Sequence, residues 1–261
     1  MSEAATYILL WLSALGAGIM NAVAGGGTML TFSALLAVVP PVIGNATSTV
    51  ALVPGSLASA WGYRREVRQV GHWIALLLWP SVIGGAIGSL LVTRLDPKYF
   101  EALVPWLILS AALLFLCQPV LVRLAGIGKP HATPSKFTLG GVIVFQLFVG
   151  VYGGYFGAGI GILMLSSLGI MGLTDIHLMN AVKTILAMFI NGVSVVVFVI
   201  ENTVDWRYAL GMMAAAILGG YFGAFTARRM DRNLVRWIVI LIGFGLAAYY
   251  FYKQGSGGSL A

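Results

Sequence analysis

Apolar stretches long enough for membrane helices alternate with brief polar turns from one end of the chain to the other. Inside these stretches the polar residues recur at helical spacing, and the two-residue alternation of a transmembrane barrel is absent. The pattern predicts five helical segments in the first half: Tyr7 to Val23, Thr28 to Val39, Ala46 to Tyr63, Trp73 to Val92 and Phe100 to Val122. Five more follow: Phe137 to Phe156, Ile160 to Leu173, Asp175 to Ile200, Trp206 to Ala227 and Leu234 to Tyr252. The second segment of each half is too short to span a bilayer at about 1.5 Å per residue. It should therefore form a bent or re-entrant pair with the segment before it.

The two sets of five are copies. Asn45-Ala46-Thr47-Ser48-Thr49 aligns with Asn180-Ala181-Val182-Lys183-Thr184 at an offset of 135 residues, and Gly84, Gly85 and Gly88 align with Gly219, Gly220 and Gly223 at the same offset. Arg94-Leu95-Asp96 likewise meets Arg229-Met230-Asp231, while an offset of 134 pairs Gly25 and Gly27 with Gly159 and Gly161. The expected organisation is a single membrane domain: a first repeat over 1–122, a linker over 123–136, a second repeat over 137–254 and a flexible tail over 255–261.

Loop charge bears on how the copies are oriented. If each short segment returns the chain to its starting side, the halves are inverted. One face then holds Arg64, Arg65, Arg68, Arg123, Lys129, Lys136, Arg228, Arg229, Arg232 and Arg236, and the other holds only Arg94, Lys98, Arg207 and Lys253. A parallel arrangement divides the same residues eight against six. Basic residues gather in cytoplasmic loops, so the reading is an all-α polytopic protein of the inner (plasma) membrane, with two inverted repeats and both termini outside the cytoplasm.

Composition agrees. Of 261 residues 59% are hydrophobic and 9% charged, with a mean hydropathy of +0.95, against about 25% charged in soluble domains. The net charge of +7 is accounted for by loop bias, so no nucleic-acid partner is expected. The first segment lacks a basic leader and reads as a retained helix. Cys117 stands alone, and His72, His131 and His177 have no ligand spacing, so neither a metal nor a cofactor is expected.

The candidate chemistry lies on one stripe. Asn180, Lys183, Thr184, Asn191 and Ser194 fall on a narrow helix face, and the first copy places Asn45, Ser48, Thr49, Ser56 and Ser59 at the matching positions. Such residues serve either as hydrogen-bond glue between helices, at about 0.6 kcal/mol each, or as the lining of a polar path. Lys183 costs roughly 2.5 to 3.5 kcal/mol in a membrane helix, which an anionic ligand would offset and which snorkelling to the interface would avoid. The glycine runs Gly25-Gly26-Gly27 and Gly157-Ala158-Gly159-Ile160-Gly161 each precede a helix start, whose amides attract anions. Carboxylates sit only at loops and segment ends, so a deep carboxylate proton relay is not expected, while a sodium site of carbonyls, Asn21 and hydroxyls stays open.

The chain resembles the sulfite exporter TauE/SafE family from Gly18 to about Tyr250. The resemblance rests on residues 21–28 (NAVAGGGT), 45–49 (NATST), 63–66 (YRRE), 152–159 (YGGYFGAG) and 175–183 (DIHLMNAVK), with Ser33 standing where members usually carry proline. It implies a transporter that exports sulfite, sulfoacetate or a related organosulfonate by alternating access. The expected substrate-binding residues are Lys183, Asn180, Thr184, Asn45, Ser48, Thr49, Asn21, Gly25, Gly26, Gly27, Gly159, Gly161, Tyr155 and Asn191. The expected partners are a small anionic substrate and the lipid bilayer. Homodimerisation is an open option and the coupling ion is undetermined. An intramembrane enzyme would need a positioned nucleophile and base, which the sequence does not supply. Transport of another small anion or carboxylate, or a non-transporting assembly role, are the remaining alternatives.

Overall fold

In the computed structural model the described residues are 2–23, 26–124, 136–173, 175–226 and 232–256. Gly25, the linker residues 125–135, the turn 227–231 with Arg229-Met230-Asp231, and the tail 257–261 lie outside them. All regular structure among the described residues is helical, as the apolar pattern requires. The first half comprises α1 (Glu3–Val23), α2 (Thr28–Leu35), α3 (Pro41–Gly62), α4 (Arg64–Val67), α5 (Gly71–Arg94) and α6 (Pro97–Leu124). The second comprises α7 (Lys136–Tyr155), α8 (Ile160–Ile170), α9 (Ile176–Ile200), α10 (Trp206–Thr226) and α11 (Arg232–Gly255). Among the described residues, α1, α5, α6, α7, α9 and α11 are long and apolar enough to cross a membrane.

Local chemistry sets the boundaries. α3 begins at Pro41, ahead of the expected Ala46, because proline fits the first helical position, where no amide is needed. Asp175 caps α9 by accepting from the amides of His177 at 2.7 Å and Leu178 at 3.4 Å. Between α1 and α2 the chain turns at Gly26, whose φ of +92° and a side-chain site only 2.1 Å from the Phe115 ring exclude any other residue. Between α7 and α8 it turns through Gly157 and Gly159, both at φ +82°. The Tyr152 hydroxyl pins that turn by donating to the Ala158 carbonyl at 2.8 Å.

The halves interlock. α1 packs beside α10, and α7, its counterpart, packs beside α5. Both pairs run parallel: Gly84 and Gly88 of α5 press against the backbone near Leu147 and Val151 of α7, and Tyr7 and Gly18 of α1 lie against Tyr208 and Gly219 of α10. Small residues let these backbones approach closely where no hydrophobic effect drives association. α3 rests on α10 and α5 on α9, again in parallel, as Thr47 with Asp205 and Arg94 with Glu201 mark at one end. α6 and α11 run antiparallel, with Trp106 on Phe251 and Gln254 on the Glu101 carbonyl. The short α2 and α8 are held inside, with Phe32, Leu35, Met164 and Leu168 fully buried. The outer helices turn Trp61, Trp79, Trp106 and Phe148 outward, an apolar exterior suited to lipid.

Candidate functional site

Where α3 and α9 meet the two chain breaks, a cavity of about 90 Å³ opens. α3 presents Thr49, Leu52, Ser56 and Ser59 to it, and α9 presents Lys183, Thr184, Ala187 and Asn191. Each set is spaced in turns and so shares one helix face. Asn21 from the end of α1, Gly26 and Thr28 from the start of α2, and Gly159, Ile160 and Gly161 from the start of α8 complete the wall, with Phe156 and Gly157 between. The Asn21 side-chain oxygen accepts from the Gly27 amide at 2.9 Å, fixing the break at the head of α2.

The electrostatics have one sign. Lys183 is the single cationic side chain among the lining residues, and no carboxylate is among them. The starts of α2 and α8 each add about half a positive charge, although the amides of Gly27, Met29, Leu30 and Ile162 there already donate to Asn21 and to the Gly26, Gly27 and Gly159 carbonyls. The hydroxyls of Thr49, Ser56 and Ser59 donate to the carbonyls of Asn45, Leu52 and Gly55 one turn back. A hydroxyl proton can rotate toward a ligand at little cost. The lining thus offers one ammonium, helix-start dipoles and hydroxyl hydrogens.

The cavity occupies one end of the helix pair. Its α3 residues run from Thr49 toward Ser59, close to the basic turn Arg64 to Arg68, and its α9 residues run from Asn191 back toward the start of that helix. We call this the Arg64 face. The other end, the Arg94 face, is closed. There Phe32 packs edge-on against Phe156 and Phe100, at 5.2 and 6.3 Å between ring centres. Thr31 and Ser48 share a hydrogen bond at 2.6 Å, the Thr47 hydroxyl accepts from the Asp205 amide at 3.0 Å, and Arg94 pairs with Glu201 at 2.8 Å.

Of the residues expected at the site, Lys183, Thr184, Asn191, Thr49, Asn21, Gly26, Gly159 and Gly161 line the cavity. Asn45 does not: it is 1% exposed, and its amide donates to the Tyr155 carbonyl at 3.0 Å. Ser48 is buried on Thr31. Tyr155 packs its ring on Phe100, and Gly27 packs against the Ala17 backbone. Asn180 is half-buried near the start of α9, outside the lining. Gly25 lies outside the described residues. Thr28 and Phe156 line the cavity without having been expected. Thr28 could have been found as the first helical residue after a glycine run, whereas nothing in the pattern distinguished Phe156 from other core aromatics.

Residues 10–250 match the model of the family described as Sulfite exporter TauE/SafE. A "Probable membrane transporter protein" of Haemophilus influenzae is 30% identical over 244 residues, covering 92% of each chain. "Probable membrane transporter protein ORF9" of a Sinorhizobium species is 29% identical, covering 95% of this chain and 94% of the relative. "Probable membrane transporter protein YfcA" of Escherichia coli K12 is 26% identical, covering 94% and 90%. No solved structure matches the chain.

Proposed function

This chain belongs to the sulfite exporter TauE/SafE family of membrane transporters, and from that premise we propose that it carries a small sulfur-containing anion, exporting sulfite or a compact organosulfonate by alternating access. The observation that carries this reading is the meeting of Lys183 with the starts of α2 and α8 around a carboxylate-free cavity. Lys183 supplies the charge, Thr184, Thr49 and Asn191 supply polar contacts, and the amides of the broken helices complete the oxyanion site.

The two halves act as inverted repeats. The parallel run of α1 with α10 and of α5 with α7 supports this, as does the gathering of arginines beyond α3. The Arg64 face is then cytoplasmic in the inner membrane, and both termini lie outside the cytoplasm. Reporters fused after Arg123 and at the C-terminus should land on opposite sides; finding both in the cytosol would exclude the arrangement.

The substrate is tested by counterflow in vesicles reconstituted with purified protein, offering sulfite, thiosulfate, sulfoacetate and sulfate in turn. Sulfite or sulfoacetate should exchange. Lys183→Ala should lose at least about tenfold in flux, the worth of one charge-assisted hydrogen bond of about 1.5–3 kcal/mol, while Lys253→Ala keeps its rate. Equal rates in the two variants would remove Lys183 from the binding role, and exchange of a carboxylate with none of the sulfur anions would reassign the substrate.

A further inference from the structure

Residues that the repeat makes equivalent are treated differently at the two ends of the molecule. Asn45 and Asn180 hold the same repeat position at the offset of 135. Asn45 is 1% exposed and bonded to the Tyr155 carbonyl at 3.0 Å, whereas the half-buried Asn180 has no side-chain hydrogen bond among the described residues. Ser48 is sealed against Thr31, and its counterpart Lys183 borders the cavity. Glu201 is paired with Arg94, while its counterpart Glu66 holds a buried carboxylate oxygen with no partner among the described residues. Two pairs of equivalent positions, Asn45 with Asn180 and Glu201 with Glu66, thus divide the same way among the described residues, engaged on the Arg94 face and not on the Arg64 face. A sequence with two matching gates in unlike environments is what one state of a two-state exchange looks like.

The partner that the repeat assigns to Asn180 can be located. Tyr155, whose carbonyl Asn45 holds, lies near the end of α7, and the offset of 134 that pairs the glycine runs places Asn21 at the equivalent point of α1. We propose that the Asn45 amide on the Tyr155 carbonyl is the closed latch of the Arg94 face, and that the Arg64 face closes when Asn180 makes the equivalent bond to the carbonyl of Asn21 as the first latch releases. The inference rests on the alternating-access reading above. Closure at Asn180 would bring α9 against the head of the cavity and cover Lys183 from the Arg64 face. The present latch is not over-secured: the side-chain oxygen of Asn45 is buried with no hydrogen-bond partner, a free-energy cost that hydration relieves on opening. The two latches are mutually exclusive because α3 and α9 share the cavity between them.

Paired cysteines in a Cys117→Ser background test this. Oxidising Asn45→Cys with Tyr155→Cys, and separately Asn21→Cys with Asn180→Cys, should yield an intramolecular disulfide in each case. Each disulfide should lower anion flux at least tenfold relative to the same variant in its reduced form. Failure of the 21/180 pair to cross-link in protein that transports when reduced, or unchanged flux through the cross-linked 45/155 protein, overturns the latches. Flux in the Cys117→Ser background reports the transport reading separately, so the latches can fall while that reading stands. Should a pair fail to fold, Asn45→Ala with Thr49→Cys replaces it. An impermeant thiol reagent applied from the Arg94 face should then label Cys at 49 several-fold faster than in the Asn45 parent, and equal labelling overturns the proposal.

Discussion

The side chain of Lys183 passes over Gly161 so closely that a Cβ at Gly161 would stand 3.1 Å from the lysine Cδ. The bare backbone at the head of α8 is therefore what admits the ammonium stem to the cavity. The neighbour met there is the middle of a flexible chain, which can shift, so the cost of filling the space falls on the position of the charge and not on the fold. Gly161→Ala should keep the melting temperature of the parent and weaken anion affinity by about 2- to 10-fold, matching roughly 0.5–1.5 kcal/mol for an off-rotamer side chain. Gly161→Leu should abolish flux. Unchanged affinity in both variants, measured by binding to purified protein, would separate Lys183 from the ligand.

Thr184 neighbours Lys183 on the cavity wall. Thr184→Leu should occupy the space that the anion needs. Because the side chain enters a cavity and not a packed core, stability should change by less than about 1 kcal/mol, while flux falls at least about tenfold. Normal flux with a leucine in the wall would place the path elsewhere.

The α5 and α7 backbones touch at Gly88, where a Cβ would lie 2.1 Å from the Val151 carbonyl oxygen and 2.7 Å from the Tyr155 amide nitrogen. Neither atom can move without moving a helix. Gly88→Ala should cost about 1–3 kcal/mol, read as a lowered melting temperature in detergent. Gly211→Ala is the control, since nothing lies within 4 Å of a Cβ there. Equal melting temperatures would show that the helices are not in contact at Gly88.

Asp205 precedes α10 and joins the two halves through its amide, which donates to Thr47. The Arg207 guanidinium, donating to the carboxylate, holds the Asp205 carboxyl below its ordinary value. A lowered folded-state value means that the contribution is present above the unfolded-state pKa of about 3.9 and lost as pH falls through the folded-state value. The Arg207 side chain is exposed, so the pair is screened and the effect should be small and should shrink with salt. The melting temperature of the parent should exceed that of Asp205→Asn at pH 7, and the gap should begin to narrow as pH falls below about 3.9. A gap that does not narrow at all down to pH 2 would assign the difference to something other than the charge.

Ten of the eleven helices among the described residues, all but the short polar α4 (Arg64–Val67), and most of their limits were readable because lipid leaves the backbone no other way to satisfy its polar groups, so each apolar stretch declares itself. The break before α8 was legible in its glycines, and the cap of α9 begins at Asp175, the residue where the pattern had placed that segment's start. The early start of α3 was missed, since Pro40-Pro41 reads as a turn until one sees that the second proline occupies the first helical position. The polar stripe was legible as a face. Its division was not: Thr49, Ser56, Lys183 and Thr184 border the cavity, whereas Asn45 is spent on a contact between halves and Ser48 on Thr31 within its own half.

That contrast separates the two sources of information. Local chemistry and the bilayer set which segments are helices, where glycine breaks them, which half repeats which, and which face of α3 and α9 is polar. All of these depend on neighbours close in sequence or on a solvent that acts alike on every segment. Whether Asn45 meets the Tyr155 carbonyl or an open cavity depends on 110 residues of intervening chain and on how α3, α7 and α9 are packed. Residues at equivalent positions can settle into different environments, and only the tertiary structure decides which of them border the cavity and which are spent on packing contacts.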